Sequence, residues 1–160
     1  MLAHNYTGQN VINWYMSEKL DGIRAYWNGN SFYSRTGKEI KAPKAFLNNM
    51  PENIRLDGEL CAGRGKFNLT SSIVRKTKDV ENYTNDWLNN IVYHVFDSPS
   101  NMIFESRMSY LYDNIGKKYK NVKIVDQNQI NENTCIDTEL KKIIKQGGEG
   151  LMLRAPKSLY

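Results

Sequence analysis

The dipeptide Asn28-Gly29 constrains the fold of this 160-residue chain more than any other feature. Both residue types tolerate positive φ, the backbone setting of tight turns that match the twist of two antiparallel strands. The turn follows residues 23–27, rich in aromatic and β-branched side chains, and leads into residues 31–34 as the return strand. A hairpin is therefore predicted here, and with it an antiparallel sheet. Upstream, residues 14–20 read as a strand entering a turn at Asp21-Gly22.

Further along, Pro43 introduces a short helix over 44–49, residues 54–61 read as a strand, and Gly63-Arg64-Gly65 as a loop. A helix over 68–76 would turn Ile73 and Val74 inward, and the near-continuous apolar run 91–97 is a strand ended by Ser98-Pro99. Helical spacing of Met108, Leu111 and Ile115 predicts a helix over 104–119. A strand over 122–125, a helix over 137–146 stopped by Gly147-Gly148, and a strand over 150–154 complete the pattern. Hairpins with interspersed helices imply an α+β domain built on antiparallel sheets.

The chain is long enough for one domain with a core of its own, and neither a linker nor a repeat divides it. Its net charge of +5 favours an anionic partner such as nucleic acid. Cys61 and Cys135 lie far apart without metal-ligand spacing, which argues against a disulfide scaffold or a structural zinc site. The first residues lack the basic and apolar regions of an export signal, and no apolar run approaches the roughly 20 residues of a membrane span. The expectation is a cytoplasmic protein that does not enter membranes.

Five segments place charged or aromatic side chains at strand edges beside glycine: 18–24 (EKLDGIR), 34–37 (SRTG), 56–60 (LDGEL), 95–97 (VFD) and 148–154 (GEGLMLR). Glycine at such edges lets backbone and ligand approach while the strands hold the side chains rigid. In order and spacing these segments resemble motifs I, III, IIIa and IV of the covalent nucleotidyltransferases, which include DNA ligases, RNA ligases and mRNA capping enzymes. With their flanks (SEKLDGIRAYWNGN, SRTGKEIKAP, LDGELCAGRGKF, SSIVR, VFDSP, GGEGLMLRAPKSLY) they are similar to the small bacterial ATP-dependent DNA ligases over nearly the whole chain. The resemblance implies a nucleotidyltransferase fold, an ATP-grasp-like adenylation domain of two antiparallel sheets flanked by helices around an ATP groove. It implies ATP and Mg²⁺ or Mn²⁺ as cofactors and nicked double-stranded DNA as partner.

Read on its own chemistry, Lys19 must lose its proton to attack, so its ordinary pKa of about 10.4 has to fall, and Asp21 is near enough in sequence to orient it. The resemblance makes Lys19 the site of a lysine–AMP bond. Arg24 carries a planar donor fork suited to a ribose hydroxyl or a phosphate, and the resemblance assigns it to the nucleotide sugar. Glu59 and Glu149 offer hard oxygen ligands for a divalent cation, and the resemblance implies that Glu59 also contacts the ribose and that Glu149 supports the metal. Phe96 reads as core by itself, whereas the resemblance stacks it on adenine, an interaction worth about 1–3 kcal/mol. Ser17 matches a position at the purine edge.

Arg35 lies on the opposing strand of the hairpin and matches an arginine at the 5′-phosphate of a nick; a solvated hairpin charge is its alternative. Arg64, Lys66 and Arg75 form a basic cluster that would face DNA or simply solvent. His4 and His94 show no metal spacing and read as incidental.

In the resembled family, a further motif with two lysines and a small OB-fold domain follow the position of Tyr160. The expectation is an incomplete domain: a fragment, a shortened version, or half of an enzyme completed by a second polypeptide. Two other functions fit part of the pattern. One is an RNA ligase or capping-type nucleotidyltransferase; the other is a nucleotide- or nucleic-acid-binding remnant without activity.

Overall fold

The computed structural model describes residues 3–116 and 118–160. The order of elements is β1 (Tyr15–Lys19), β2 (Ile23–Trp27), β3 (Phe32–Ser34), β4 (Glu39–Ile40), α1 (Lys44–Leu47), β5 (Leu56–Cys61), α2 (Phe67–Val74), a 3-10 turn (Val80–Tyr83), α3 (Thr84–Asn90), β6 (Val92–Asp97), α4 (Phe104–Asn114), β7 (Val122–Ile124), β8 (Asn128–Gln129), α5 (Ile136–Lys145) and β9 (Gly150–Arg154). The strands form a six-stranded sheet, ordered β4-β3-β2-β5-β6-β7, and a three-stranded sheet, ordered β8-β1-β9. This is the expected α+β architecture of two sheets flanked by helices. Its ladders are antiparallel except β6–β7, which run parallel at one edge of the large sheet.

The predicted hairpin forms, but on a four-residue loop: Trp27 pairs with Phe32, and only Gly29 of the dipeptide takes positive φ, at +101°. The Asn28 side chain instead accepts hydrogen bonds from the amides of Asn30 and Ser31 (2.9 and 2.8 Å), closing the loop as a local polar cap. β4, β8, α3 and the 3-10 turn lie outside the sequence expectation, and the helix expected to reach residue 119 ends at Asn114. There the amides of Ile115 and Gly116 both turn back onto the Leu111 carbonyl, and Gly116 adopts positive φ.

Alternation along the strands sorts the large sheet into two faces. Ala25, Trp27, Leu56, Leu60, Tyr93 and Val95 are buried in the main core, which also takes in Phe46 of α1, Ile73 of α2 and Trp87 of α3. Rings meet there edge to face or tilted, Phe46 with Trp87 at 4.9 Å and Phe32 with Tyr93 at 5.0 Å. The other face, carrying Arg24, Asp57, Glu59, His94 and Phe96, is left for the groove shared with the small sheet.

A buried ionic knot fastens the two sheets. Asp97, at the end of β6, accepts from Arg107 Nε at 2.6 Å and Nη2 at 3.1 Å and from Arg154 Nη1 of β9 at 2.8 Å. Arg107 is fully buried on α4 and donates from Nη1 to the carbonyls of Met102 and Ser158. Each charge removed from water is thereby paired and hydrogen-bonded, which offsets the cost of burying it.

Candidate active site

Lys19 ends β1, where it lies opposite Gly150 of β9 in the ladder, and its ammonium pairs with the Glu149 carboxylate. The pair is open to solvent, the two side chains keeping 45% and 39% of their surface exposed. Beside it a cavity of about 170 Å³ is lined from the small sheet by Lys19 and Glu149 and from the large sheet by Cys61 and His94. Asp21 also borders this cavity. Ser17, on the same face of β1 as Lys19, is buried and lies opposite Met152.

The turn between Lys19 and Arg24 is pressed against β5. A Cβ on Gly22 would come within 2.5 Å of the Leu60 carbonyl and 2.9 Å of Glu59 Cγ, so this position admits only glycine. From there the Gly22 backbone faces the Glu59 carboxyl and helps to hold its pKa down. Gly58 meets the same limit on the opposite face, where a Cβ would stand 2.5 Å from the His94 carbonyl and 2.7 Å from the Tyr93 ring.

Arg24 stands opposite Glu59 in the β2–β5 ladder and grips Asp57 through two bonds, Nε to Oδ1 at 3.1 Å and Nη2 to Oδ2 at 2.7 Å. Its guanidinium carbon lies 5.6 Å from the centre of the Phe96 ring, which is only half-buried and faces the groove. Asp57 also accepts from the Tyr160 hydroxyl at 2.8 Å. Burial is the main cause that lifts the Glu59 carboxyl to about 7; Arg24 and Lys19 pull it back down, while Asp57 adds to the rise. Burial and Lys123 together lower the pKa of His94 and favour its neutral form.

The predicted site residues thus divide into groups. Lys19 and Glu149 meet directly, and Arg24, Glu59 and Phe96 share one face of the large sheet. Arg35 lies just past the end of β3, in the turn and not on the strand, beside a second cavity of about 410 Å³ bordered by Arg24, Tyr33 and Tyr160. Lys66 and Arg75 are exposed at the two ends of α2, and the Arg75 guanidinium lies 6.0 Å from the Phe67 ring. Arg64, expected in their company, folds inward onto Glu18. Among the described residues no three His, Cys, Asp or Glu side chains gather as a metal cluster.

Asp57 and Tyr160 lie inside segments quoted for their motifs, but their contacts with Arg24 span the chain and have no local sign. His94, read as incidental, lies opposite Glu59 in the β5–β6 ladder and borders the Lys19 cavity. Its alternation with Phe96 along β6 is the signal that could have placed it on the groove face.

A family model, the ATP dependent DNA ligase domain, matches residues 1–160. The chain belongs to the ATP-dependent DNA ligase domain family. Within that family, it is 30% identical to a DNA ligase from Haemophilus influenzae over 162 aligned positions, covering all of this chain and 58% of that protein. A structure from a study of DNA binding by Lig E DNA ligases superposes with a TM-score of 0.87 at 34% identity, over 99% of this chain and 62% of that one. The chain therefore spans about three fifths of these relatives. A Chlorella virus DNA ligase-adenylate shares the fold, with a TM-score of 0.72 at 22% identity over 97% of this chain and 60% of the viral one. No described helix is long and apolar enough to cross a membrane.

Proposed function

We propose that this chain is the adenylation domain of an ATP-dependent DNA ligase, with Lys19 as the nucleophile. The observation that carries the reading is the Lys19–Glu149 pair at the mouth of a cavity shared by both sheets. In the first step the Lys19 amine attacks the α-phosphorus of ATP, a P–N bond forms, and the bond to the pyrophosphate oxygen breaks. Attack needs the neutral amine, and Glu149 is the carboxylate in contact to accept its proton. A 5′-phosphate oxygen at a nick then takes AMP from Lys19, and the 3′-hydroxyl displaces AMP to join the strand.

In this reading Arg24 and Glu59 hold the ribose, Phe96 stacks on adenine and Ser17 meets the purine edge; the shared groove face of Arg24, Glu59 and Phe96 supports it. Arg35, Lys66 and Arg75 supply exposed positive charge for the DNA backbone. Glu59 and Glu149 fit Mg²⁺ or Mn²⁺ by the chemistry of their donors: both offer hard carboxylate oxygens, Glu149 in contact with Lys19 and Glu59 within the electrostatic reach of the same ammonium. A bound cation would supply charge neutralisation for the phosphates.

ATP labelled at the α-phosphate, followed by a denaturing gel, tests the reading. The complete protein should retain label, and Lys19→Ala should abolish it. Label that persists at normal yield in Lys19→Ala would refute the assignment, and label from GTP in preference to ATP would favour a capping-type enzyme.

A further inference from the structure

Arg64 sits in the loop between β5 and α2, between two glycines of positive φ, Gly63 at +113° and Gly65 at +67°. This loop is held in shape. Thr70 of α2, fully buried, accepts from the Ala62 amide at 2.9 Å and donates to the Lys66 carbonyl at 3.1 Å, and the Lys66 amide closes a turn onto Gly63 at 3.2 Å. The loop thus presents Arg64 from the large sheet toward the small one.

There the guanidinium makes a bidentate pair with Glu18, Nε to Oε1 and Nη2 to Oε2, both at 2.7 Å. Its Nη1 donates to the Gln146 side-chain oxygen at 3.0 Å, with the Gln146 carbonyl at 3.5 Å. Gly148 packs against the same carboxylate so closely that a Cβ there would stand 2.9 Å from Glu18 Oε1. Glu18 is the chain neighbour of Lys19, and Gln146 leads through Gly147-Gly148 to Glu149. One side chain therefore holds the backbone on both sides of the Lys19–Glu149 pair.

We propose that Arg64 is a positioning residue for the nucleophile: it brackets Glu18 and Gln146 and so sets Lys19 against Glu149 for adenylation, and it does not serve as a DNA contact. The inference rests on Lys19 being the adenylated residue. A rigid planar fork is needed to span two acceptors at once, and lysine, a point charge on a flexible stem, cannot replace it. A phosphate contact has the opposite signature, since lysine neutralises a phosphate nearly as well as arginine does.

The test uses the complete protein as wild type, Arg64→Lys, Arg64→Ala and Glu18→Gln, each checked for its melting transition. Single-turnover transfer of AMP to Lys19 is measured against ATP concentration, and sealing of a pre-adenylated nick is measured separately. Arg64→Lys and Glu18→Gln should each slow AMP transfer by about tenfold or more at saturating ATP, because misplacing reacting groups lowers rate. A fourth variant that combines Arg64→Lys with Glu18→Gln should be no slower than the slower single, as expected for residues acting as one unit. Sealing of the pre-adenylated nick, and the salt dependence of nicked-DNA binding, should stay at wild-type values. Arg64→Lys that adenylates within twofold of wild type, or Arg64→Ala that lowers the salt slope of DNA binding by about one while adenylating normally, overturns the proposal. Wild-type protein that takes label at a residue other than Lys19 instead overturns the parent reading, and this inference with it.

Discussion

The ladder between β1 and β9 is closed at both ends by ion pairs, and the two ends differ in solvent. At the Tyr15–Arg154 end, Arg107 and Asp97 are wholly buried and Arg154 keeps 20% of its side-chain surface. At the Lys19–Gly150 end, Lys19 and Glu149 keep 45% and 39%, and Arg64 and Glu18 keep 38% and 22%. An exposed pair contributes about 0–1 kcal/mol to stability, whereas removing one member of a buried pair leaves a charge stranded and costs about 3–5 kcal/mol. The buried end therefore holds the sheets together. The open end can break and re-form its pair at small cost to the fold.

The largest effect expected from this contrast is on stability. Asp97→Ala should lower the unfolding free energy in urea by about 3–5 kcal/mol, with Lys19→Ala changing it by less than about 1 kcal/mol. Equal losses from both variants would erase the distinction between the two ends. Next comes rate without stability: Glu149→Gln should leave the urea midpoint nearly unmoved and slow nick sealing by the complete protein by about an order of magnitude or more. A folded Glu149→Gln that seals at the wild-type rate would remove the open end from the chemistry.

The smallest effect concerns the groove between the two ends. Glu59 binds its proton more tightly in the fold, at about 7 against an ordinary value of 4.5, so the folded state holds more protons than the unfolded chain between those two values. Stability tied to this group is complete below pH 4.5 and is lost as pH rises through about 7. Glu59→Gln, which cannot ionise, should raise the melting temperature of the unliganded protein by a few degrees at pH 8 and by nothing measurable near pH 4.5. A gain of the same size at both pH values would show that burial does not govern this carboxyl.

The sequence made the open end legible and hid the buried one. Lys19, Arg24, Glu59 and Glu149 stand in short segments beside glycines, and Gly22 and Gly58 do press against β5 and β6. The knot is assembled from residues 10 and 57 positions apart, and Arg107 sits in a helix whose sequence gives no sign that an arginine is its most buried polar group. In the fold, α3 escaped because its asparagines and aspartate favour turns over helix interiors, so burial of Trp87 in the core decides its conformation. β4 and β8, at two residues each, are too short to show alternation. The parallel approach of β7 to β6 is a matter of topology, which side-chain pattern does not encode.

The strand that carries Lys19 lies near the beginning of the chain, and the carboxylate that meets it comes 130 positions later. Contacts so distant in sequence carry a larger loop-closure entropy than the more local pairings of the large sheet. During synthesis the β2–β3 hairpin and β5 can associate while β9 is still within the ribosome. Lys19 can therefore meet its carboxylate only once β9 has emerged and docked beside β1, which makes this pair a reporter of the finished fold.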